Sequence, residues 1–246
     1  MRIALLTDIH GNLEALEACL AHAAAQGVDR LVFLGDLVGY GADPEAVVAR
    51  VRGLMEQGAI ALRGNHDEAA LRGPIGFSTL AAIAMRWTQT RLDDATKDFL
   101  AGLPFTHEEE DRLYTHADGS NPPDWRYVTE AREARRSLDA TTARLTFCGH
   151  THVPALFALT ATEKLLHHRP PPDVIQPLLQ PRRWLAVIGA VGQPRDGNPA
   201  ACYGLLDTAS AECAWMRVPY DIEATARKIR AAGLPEALAA RLFEGA

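Results

Sequence analysis

Cysteine is scarce in this chain of 246 residues: Cys19, Cys148, Cys202 and Cys213, with no CxxC pair and no dense spacing. That argues against a disulfide framework and fits a reducing, cytoplasmic compartment. Positive charge is also in short supply, since 25 basic against 31 acidic residues leave a net charge of −6. An acidic surface does not gather polyanions, so a long nucleic acid is not an expected partner. There is no stretch of 18 apolar residues, so no membrane span is expected. The short apolar run in MRIALLTDIHG meets a charged, glycine-containing motif at once, unlike a secretory signal. No repeat of fixed period, no linker and no second hydrophobic unit interrupts the chain, so one domain over 1–246 is expected. What is present is ordinary for a globular protein: 48% apolar and 23% charged residues. A chain of this length buries roughly 70–75% of its unfolded surface and needs no covalent staples.

The first quarter of the chain alternates apolar runs of strand length with amphipathic stretches. Arg2 to Thr7, Leu31 to Leu34 and Ala59 to Leu62 read as strands; Leu13 to Gln26 and a segment opened by Asp43-Pro44 and running to about Glu56 read as helices. Strands apolar on both faces in a βαβαβ rhythm predict a parallel sheet covered by helices. Helices are expected at Thr79 to Thr90, Asp93 to Ala101 and Glu130 to Leu138, a hairpin at Phe105 to Glu108 and Arg112 to Thr115, and a strand at Arg144 to Cys148. After residue 150 the strands Ala155 to Leu159, Lys164 to His168, Trp184 to Ile188, Cys202 to Leu206 and Cys213 to Val218 predict antiparallel pairing. Pro170 to Pro181 reads as a surface loop, and two short helices, Ile222 to Ala232 and Pro235 to Phe243, close the chain.

Five apolar strands run straight into polar clusters: Asp8, His10 and Asn12 after the first; Asp36 after the second; Asn65, His66 and Asp67 after the third; then His116; then His150 and His152. Ligands of open α/β sheets bind beyond the carboxyl ends of the strands, so these groups are expected at one crevice. Carboxylate, imidazole and amide donors without thiolate suit manganese, iron or zinc. Seven candidate ligands exceed the four that one tetrahedral zinc needs, which points to two ions. Asp8 and His10, like His150 and His152, are two apart, a spacing that puts them on one side of an extended backbone.

Taken in order, DIHGN, GD, GNHD, a lone histidine and GHTH resemble the calcineurin-like metallophosphoesterase superfamily, in its small prokaryotic branch. The resemblance implies a four-layer α/β/β/α sandwich with two mixed β-sheets. It implies Asp8, His10 and His152 on one metal ion, Asn65, His116 and His150 on a second, and Asp36 bridging them. It implies that His66 contacts phosphate and protonates the leaving alkoxide, and that Asp67 orients His66. The activity implied is metal-dependent hydrolysis of a phosphoester of a small substrate, by in-line attack of a hydroxide bridging the two ions. Manganese comes first among the metals, with iron, zinc or nickel as alternatives. A dinucleoside polyphosphate hydrolase and a non-catalytic metal-binding scaffold are the competing readings.

Around this set lie weaker candidates. Arg63 and Arg195 are each either a phosphate contact or, for Arg63, a surface ion pair. Trp125 and Tyr127 read first as core packing and second as a base-stacking platform. Arg126, Arg132, Arg135 and Arg136 read as a solvated helix face. Cys148 reads as a small buried hydrophobe.

Overall fold

Strand β1 (Arg2–Leu6) faces two cores at once: Ile3 and Leu5 point to one, Ala4 and Leu6 to the other. A strand buried on both sides has to lie inside a layered structure, and the computed structural model, which describes residues 1–246, shows the layers. After β1 come α1 (Leu13–Ala25), β2 (Arg30–Phe33), α2 (Pro44–Met55) and β3 (Ile60–Ala61), with β1, β2 and β3 parallel as expected. Helices α3 (Asn65–Arg72), α4 (Thr79–Arg91) and α5 (Asp94–Gly102) lead to the hairpin β4 (Thr106–Glu109) and β5 (Arg112–Thr115). Then follow α6 (Ala131–Asp139), β6 (Leu145–Cys148), β7 (Ala155–Leu159), β8 (Leu165–His168), β9 (Gln176–Pro177), β10 (Arg183–Val187), β11 (Ala201–Asp207) and β12 (Glu212–Val218). Helices α7 (Ile222–Ala231) and α8 (Glu236–Glu244) end the chain.

Two six-stranded sheets result, in the orders β3-β2-β1-β11-β12-β9 and β4-β5-β6-β10-β7-β8. Both are mixed: β11 runs antiparallel to β1, and β7 antiparallel to β10. Their inner faces share one core, where Ile3, Leu5 and Val32 meet Tyr114, Phe147 and Trp184. Leu16, Leu20, Val47 and Val51 of α1 and α2 cover the outer face of the first sheet, and Ala134 and Leu138 of α6 cover that of the second. This is the expected α/β/β/α sandwich.

Three local features depart from the expectations. The strands after residue 150 pair antiparallel with one another, as expected, but they are divided between the two sheets. β10 lies parallel to β6 in the second sheet, while β11 crosses to the first. Trp184 and Ala186 of β10 face the shared core and Leu185 and Val187 the outer one, so it takes a central place. The connection from β10 to β11 therefore spans the two sheets, pinned by the amides of Val191 and Gly192 on the carbonyls of Thr7 and Asp8. The proline-rich stretch is not all loop, because Gln176–Pro177 forms the edge strand β9, where a missing N–H is tolerated. Finally, Asn65, His66 and Asp67 open the helix α3 rather than a plain turn: the Asp67 carboxylate accepts the Gly64 amide at its N-terminus, 2.9 Å away.

Candidate metal centre

Strands β1, β2, β3, β5 and β6 hand over at their carboxyl ends to Asp8, Asp36, Asn65, His116 and His150. Asp8, His10, Asp36, His116, His150 and His152 are all buried, and Asn65 is half-buried. Asp8, His10, Asp36, His150 and His152 have φ between 51° and 67°. A left-handed backbone costs an L-residue roughly 1–2 kcal/mol, and such strain persists where a site requires it. This corrects the reading of Asp8/His10 and His150/His152 as extended pairs. The chain curls past each strand end, and the curl, not strand alternation, turns the side chains toward one another.

The histidine tautomers follow from their outer partners. His10 Nδ1 lies 3.2 Å from the Val38 carbonyl, His116 Nδ1 2.9 Å from Leu34, His152 Nδ1 2.6 Å from Gln193, and His150 Nε2 2.9 Å from Trp125. A carbonyl only accepts, so each ring donates outward and turns a lone pair inward. The inward nitrogens face each other: His10 Nε2 and His152 Nε2 are 3.1 Å apart, His116 Nε2 and His150 Nδ1 3.2 Å. Asn65 Oδ1, 3.0 Å from His116 Nε2, adds another acceptor. Asp8 Oδ1 and Asp36 Oδ2 are buried without a hydrogen-bond partner. Asp8 Oδ1 sits 3.2 Å from His152 Nε2; Asp36 Oδ2 sits 3.4 Å from His116 Nε2 and 3.6 Å from His10 Nε2, facing both groups. Buried acceptors gathered without donors are a site for cations. The donor atoms of Asp8, His10 and His152, and those of Asp36, His116 and His150, lie within 4.8 Å of one another in each set. The chemistry of these donors fits divalent metal binding.

Charge states agree with that inventory at Asp8, Asp36, His150 and His152 and differ at His116. Burial works against ionising Asp8 and Asp36, yet the surrounding imidazoles hold both carboxyls well below the usual range. Burial pushes His150 down to about 3 and His152 to about 4. Burial also opposes charge on His116, but Asp36 outweighs it and lifts that ring to about 9.

Behind the donors stands a frame of backbone contacts. Asp8 Oδ2 accepts from Thr7 Oγ1 at 2.8 Å and the His150 amide at 2.9 Å. Asp67 Oδ1 accepts the amides of Leu37 and Val38, and Oδ2 those of Asp36 and Gly64. The expected contact from Asp67 to the His66 ring is therefore absent. The Asp67 carboxylate is filled by four N–H groups and fixes the turn that carries Asp36. Burial and the Asp36 charge push the Asp67 carboxyl up to about 7, against the pull of these amides. The His66 ring packs 4.6 Å from the rings of His10, Tyr40 and Phe77, with Nδ1 buried and unpartnered. Burial holds it neutral despite Asp36. Gly64 and Gly149 permit close approach to the two carboxylates, since a Cβ there would lie 2.1 Å from Asp36 Oδ1 and 2.4 Å from Asp8 Oδ2 respectively.

A cleft of about 480 Å³ opens over Asn65, His66 and His150, walled by Tyr40, Phe77, Trp125, Tyr127 and Arg195. Arg195 is thus at the site, as one reading expected. Arg63 is not: its guanidinium pairs with Glu68 at 2.9 Å, bonds the Ala101 carbonyl and covers the Phe105 ring. The unanticipated helix α3 brings Glu68 back to it. Trp125 and Tyr127 are not core residues; Tyr127 is 52% exposed and its ring stacks 4.1 Å from that of His150. The expected solvated face is only partly there: Arg132 is exposed and Arg135 pairs with Asp139, but Arg126 lies before α6 and Arg136 pairs with the buried Asp118. Tyr40 and Phe77 escaped the sequence reading, although aromatic residues beside Gly39, Gly41 and Gly76 in otherwise polar stretches were a usable signal.

Residues 1–211 match the family model described as the calcineurin-like phosphoesterase superfamily domain. The chain belongs to that superfamily. Among its relatives, an uncharacterized protein of Methanocaldococcus jannaschii is 35% identical over 251 residues, spanning 99% of this chain and 98% of that one. Phosphodiesterase YfcE of Escherichia coli K12 is 28% identical over 215 residues, spanning 84% and 88%. The crystal structure of a metallophosphoesterase from Sphaerobacter thermophilus, 36% identical, superposes with a TM-score of 0.89 and full coverage of both chains. A hypothetical protein from Pyrococcus horikoshii OT3 shares the fold at 18% identity, with a TM-score of 0.82 over 100% of this chain and 98% of that one. Membership supports a hydrolase acting on phosphoesters. No helix of this superfamily member is long and apolar enough to cross a membrane. Helices α7 and α8 lie beyond the matched residues.

Proposed function

We propose that this phosphoesterase hydrolyses a small phosphoester using two divalent cations. One observation carries the reading: four buried histidines turn a ring nitrogen inward, beside two buried carboxylate oxygens that have no hydrogen-bond partner. Asp8, His10 and His152 would hold one ion, Asn65, His116 and His150 the other, with Asp36 between them. When bound, such a pair acidifies a water for attack on phosphorus and offsets the charge that builds on the phosphoryl oxygens. Asp67 keeps the Asp36 carboxylate aimed through the amides of the 36–38 turn. His66 stands in the wall of the cleft, neutral before substrate arrives. A phosphate beside it favours the imidazolium, which can then pass its proton to the leaving alkoxide. Arg195, in the same wall, gives the cleft a positive charge suited to an anionic substrate.

The volume of the cleft and the acidic surface favour a small molecule over a long nucleic acid. A donor set of oxygen and nitrogen accepts manganese, iron, zinc and nickel, and availability decides among them. The test strips the protein of metal, reloads it with each of these ions singly, and follows bis(4-nitrophenyl) phosphate. Turnover with at least one ion, at two ions per chain, is expected. A protein that hydrolyses no phosphoester with any of them is a binding scaffold instead.

A further inference from the structure

Arg195 does not stand alone. Its Nη2 donates to Gln193 Oε1 at 2.9 Å, and Arg241 Nη1 of α8 donates to the same oxygen at 3.2 Å. Two guanidiniums thus converge on one neutral acceptor. The Nε of each is buried and unpartnered. Neither has a carboxylate: Asp196, the acid next in the chain, is taken by Arg169 and Arg217. Burial and the charge of Arg195 both disfavour the cationic form of Arg241. Like charges collected without a counter-ion are unfavourable in the free protein, and an anion relieves them when it binds.

The pair is held rigidly. Gln193 is 2% exposed, and its backbone carbonyl accepts the proton of His152 Nδ1 at 2.6 Å. The Arg195 amide donates to the His152 carbonyl at 3.2 Å, and the Gly197 amide to the Gly245 carbonyl at 2.9 Å. The Arg195 guanidinium lies 5.6 Å from the centroid of Tyr40, in the wall of the cleft. Helix α8 therefore reaches Gln193, the partner of Arg195, through the Arg241 side chain, although it lies outside the residues matched to the superfamily.

Resting on the hydrolase reading above, we propose that Arg195 forms an anion subsite beside the phosphorus under attack, with Arg241 as its positioning residue acting through Gln193. The substrate class that follows is a phosphoester carrying a second anionic group, such as a further phosphate or a carboxylate.

The experiment measures binding of methylenediphosphonate and of methylphosphonate to metal-stripped protein by calorimetry. In the wild type the diphosphonate is expected to bind about tenfold tighter or more. Arg195→Gln and Arg241→Gln should each bring that ratio to about two, and Arg241→Lys, which keeps one donor and the charge, should restore most of it. In the metal-loaded enzyme, Arg241→Gln should raise KM for the 4-nitrophenyl ester of methylenediphosphonate more than for that of methylphosphonate, with a smaller fall in kcat. A wild-type ratio near one, or a ratio unchanged in Arg195→Gln, overturns the proposal. Thermal melting checks the fold of each variant, and Arg195→Gln carries the test if Arg241→Gln unfolds. Selective binding in a protein that hydrolyses nothing would retire the hydrolase reading and keep the subsite; hydrolysis without selective binding would do the reverse.

Discussion

Asp36 and His66 are joined backbone to side chain: the His66 amide donates to Asp36 Oδ1 at 2.7 Å, leaving Oδ2 bare toward His10 and His116. One oxygen of the carboxylate is structural and the other is presented to the site. Asp36→Ala should therefore remove metal and activity together. We expect fewer than two ions per chain by elemental analysis, and a rate loss beyond the roughly 10–100-fold typical of losing an outer hydrogen-bond partner. Two full sites in this variant would remove Asp36 from its place between the ions.

His66→Ala tests the acid role separately. The His66 ring groups with the donor atoms of His10 and Asp36 but belongs to neither proposed ligand set, so both ions should stay. Turnover of an alkyl ester should fall by about 10²–10⁴, while an aryl ester with a good leaving group is spared. Equal losses on the two esters would show that His66 does not donate a proton.

Asp67→Asn replaces an acceptor-only group with one that turns N–H toward two buried amides. Each orphaned amide costs about 1–3 kcal/mol, so melting should occur earlier with or without metal. Metal affinity should weaken about 10–100-fold as the 36–38 turn loosens. Wild-type affinity in this variant would mean that the turn holds Asp36 unaided.

The metal-stripped protein should be most stable near pH 6.5. His150 and His152 have folded pKa values of about 3 and 4, so the unfolded chain binds more protons below its own value and stability falls on acidification from about 6.5 toward 4. His116, raised to about 9, acts in the opposite sense: its contribution is full below about 6.5 and is lost as the pH rises to about 9. Melting temperature against pH checks both limbs. His116→Asn should flatten the alkaline one, and metal loading should do so too, since a cation takes the place of the proton.

Arg63→Ala is expected to lower stability and leave KM where it was. The variant takes one of two cations from Glu68, which keeps Arg72, removes the donor to the Ala101 carbonyl and uncovers Phe105, none of which faces the cleft. A raised KM with an unchanged melting point would return Arg63 to the substrate.

The sandwich and the convergence of the donors were legible because they rest on order along the chain: apolar runs that end in acids and imidazoles, repeated five times. The left-handed turns at Asp8, His10, Asp36, His150 and His152 were not legible, since nothing in a local pattern marks an L-residue that tertiary contacts force to positive φ. Helix α3 was missed because its N-terminal contact depends on an aspartate that also serves the distant 36–38 turn. Of the two readings of Arg63 the ion pair holds, and its partner could not be named because Glu68 sits on that helix. Tyr127 was misassigned because its ring is taken up by His150, a neighbour that only the folded chain supplies.

The hydrogen bond from the His150 amide to Asp8 joins groups 142 positions apart, and His152 leans on Gln193, a further 41 along. The centre has no local precursor. During synthesis the earliest donor must wait until Gln193 has left the ribosome. A fragment ending before Gln193 would carry every donor and still lack the carbonyl that orients His152, so a completed site certifies that the beginning and the late part of the chain have found each other.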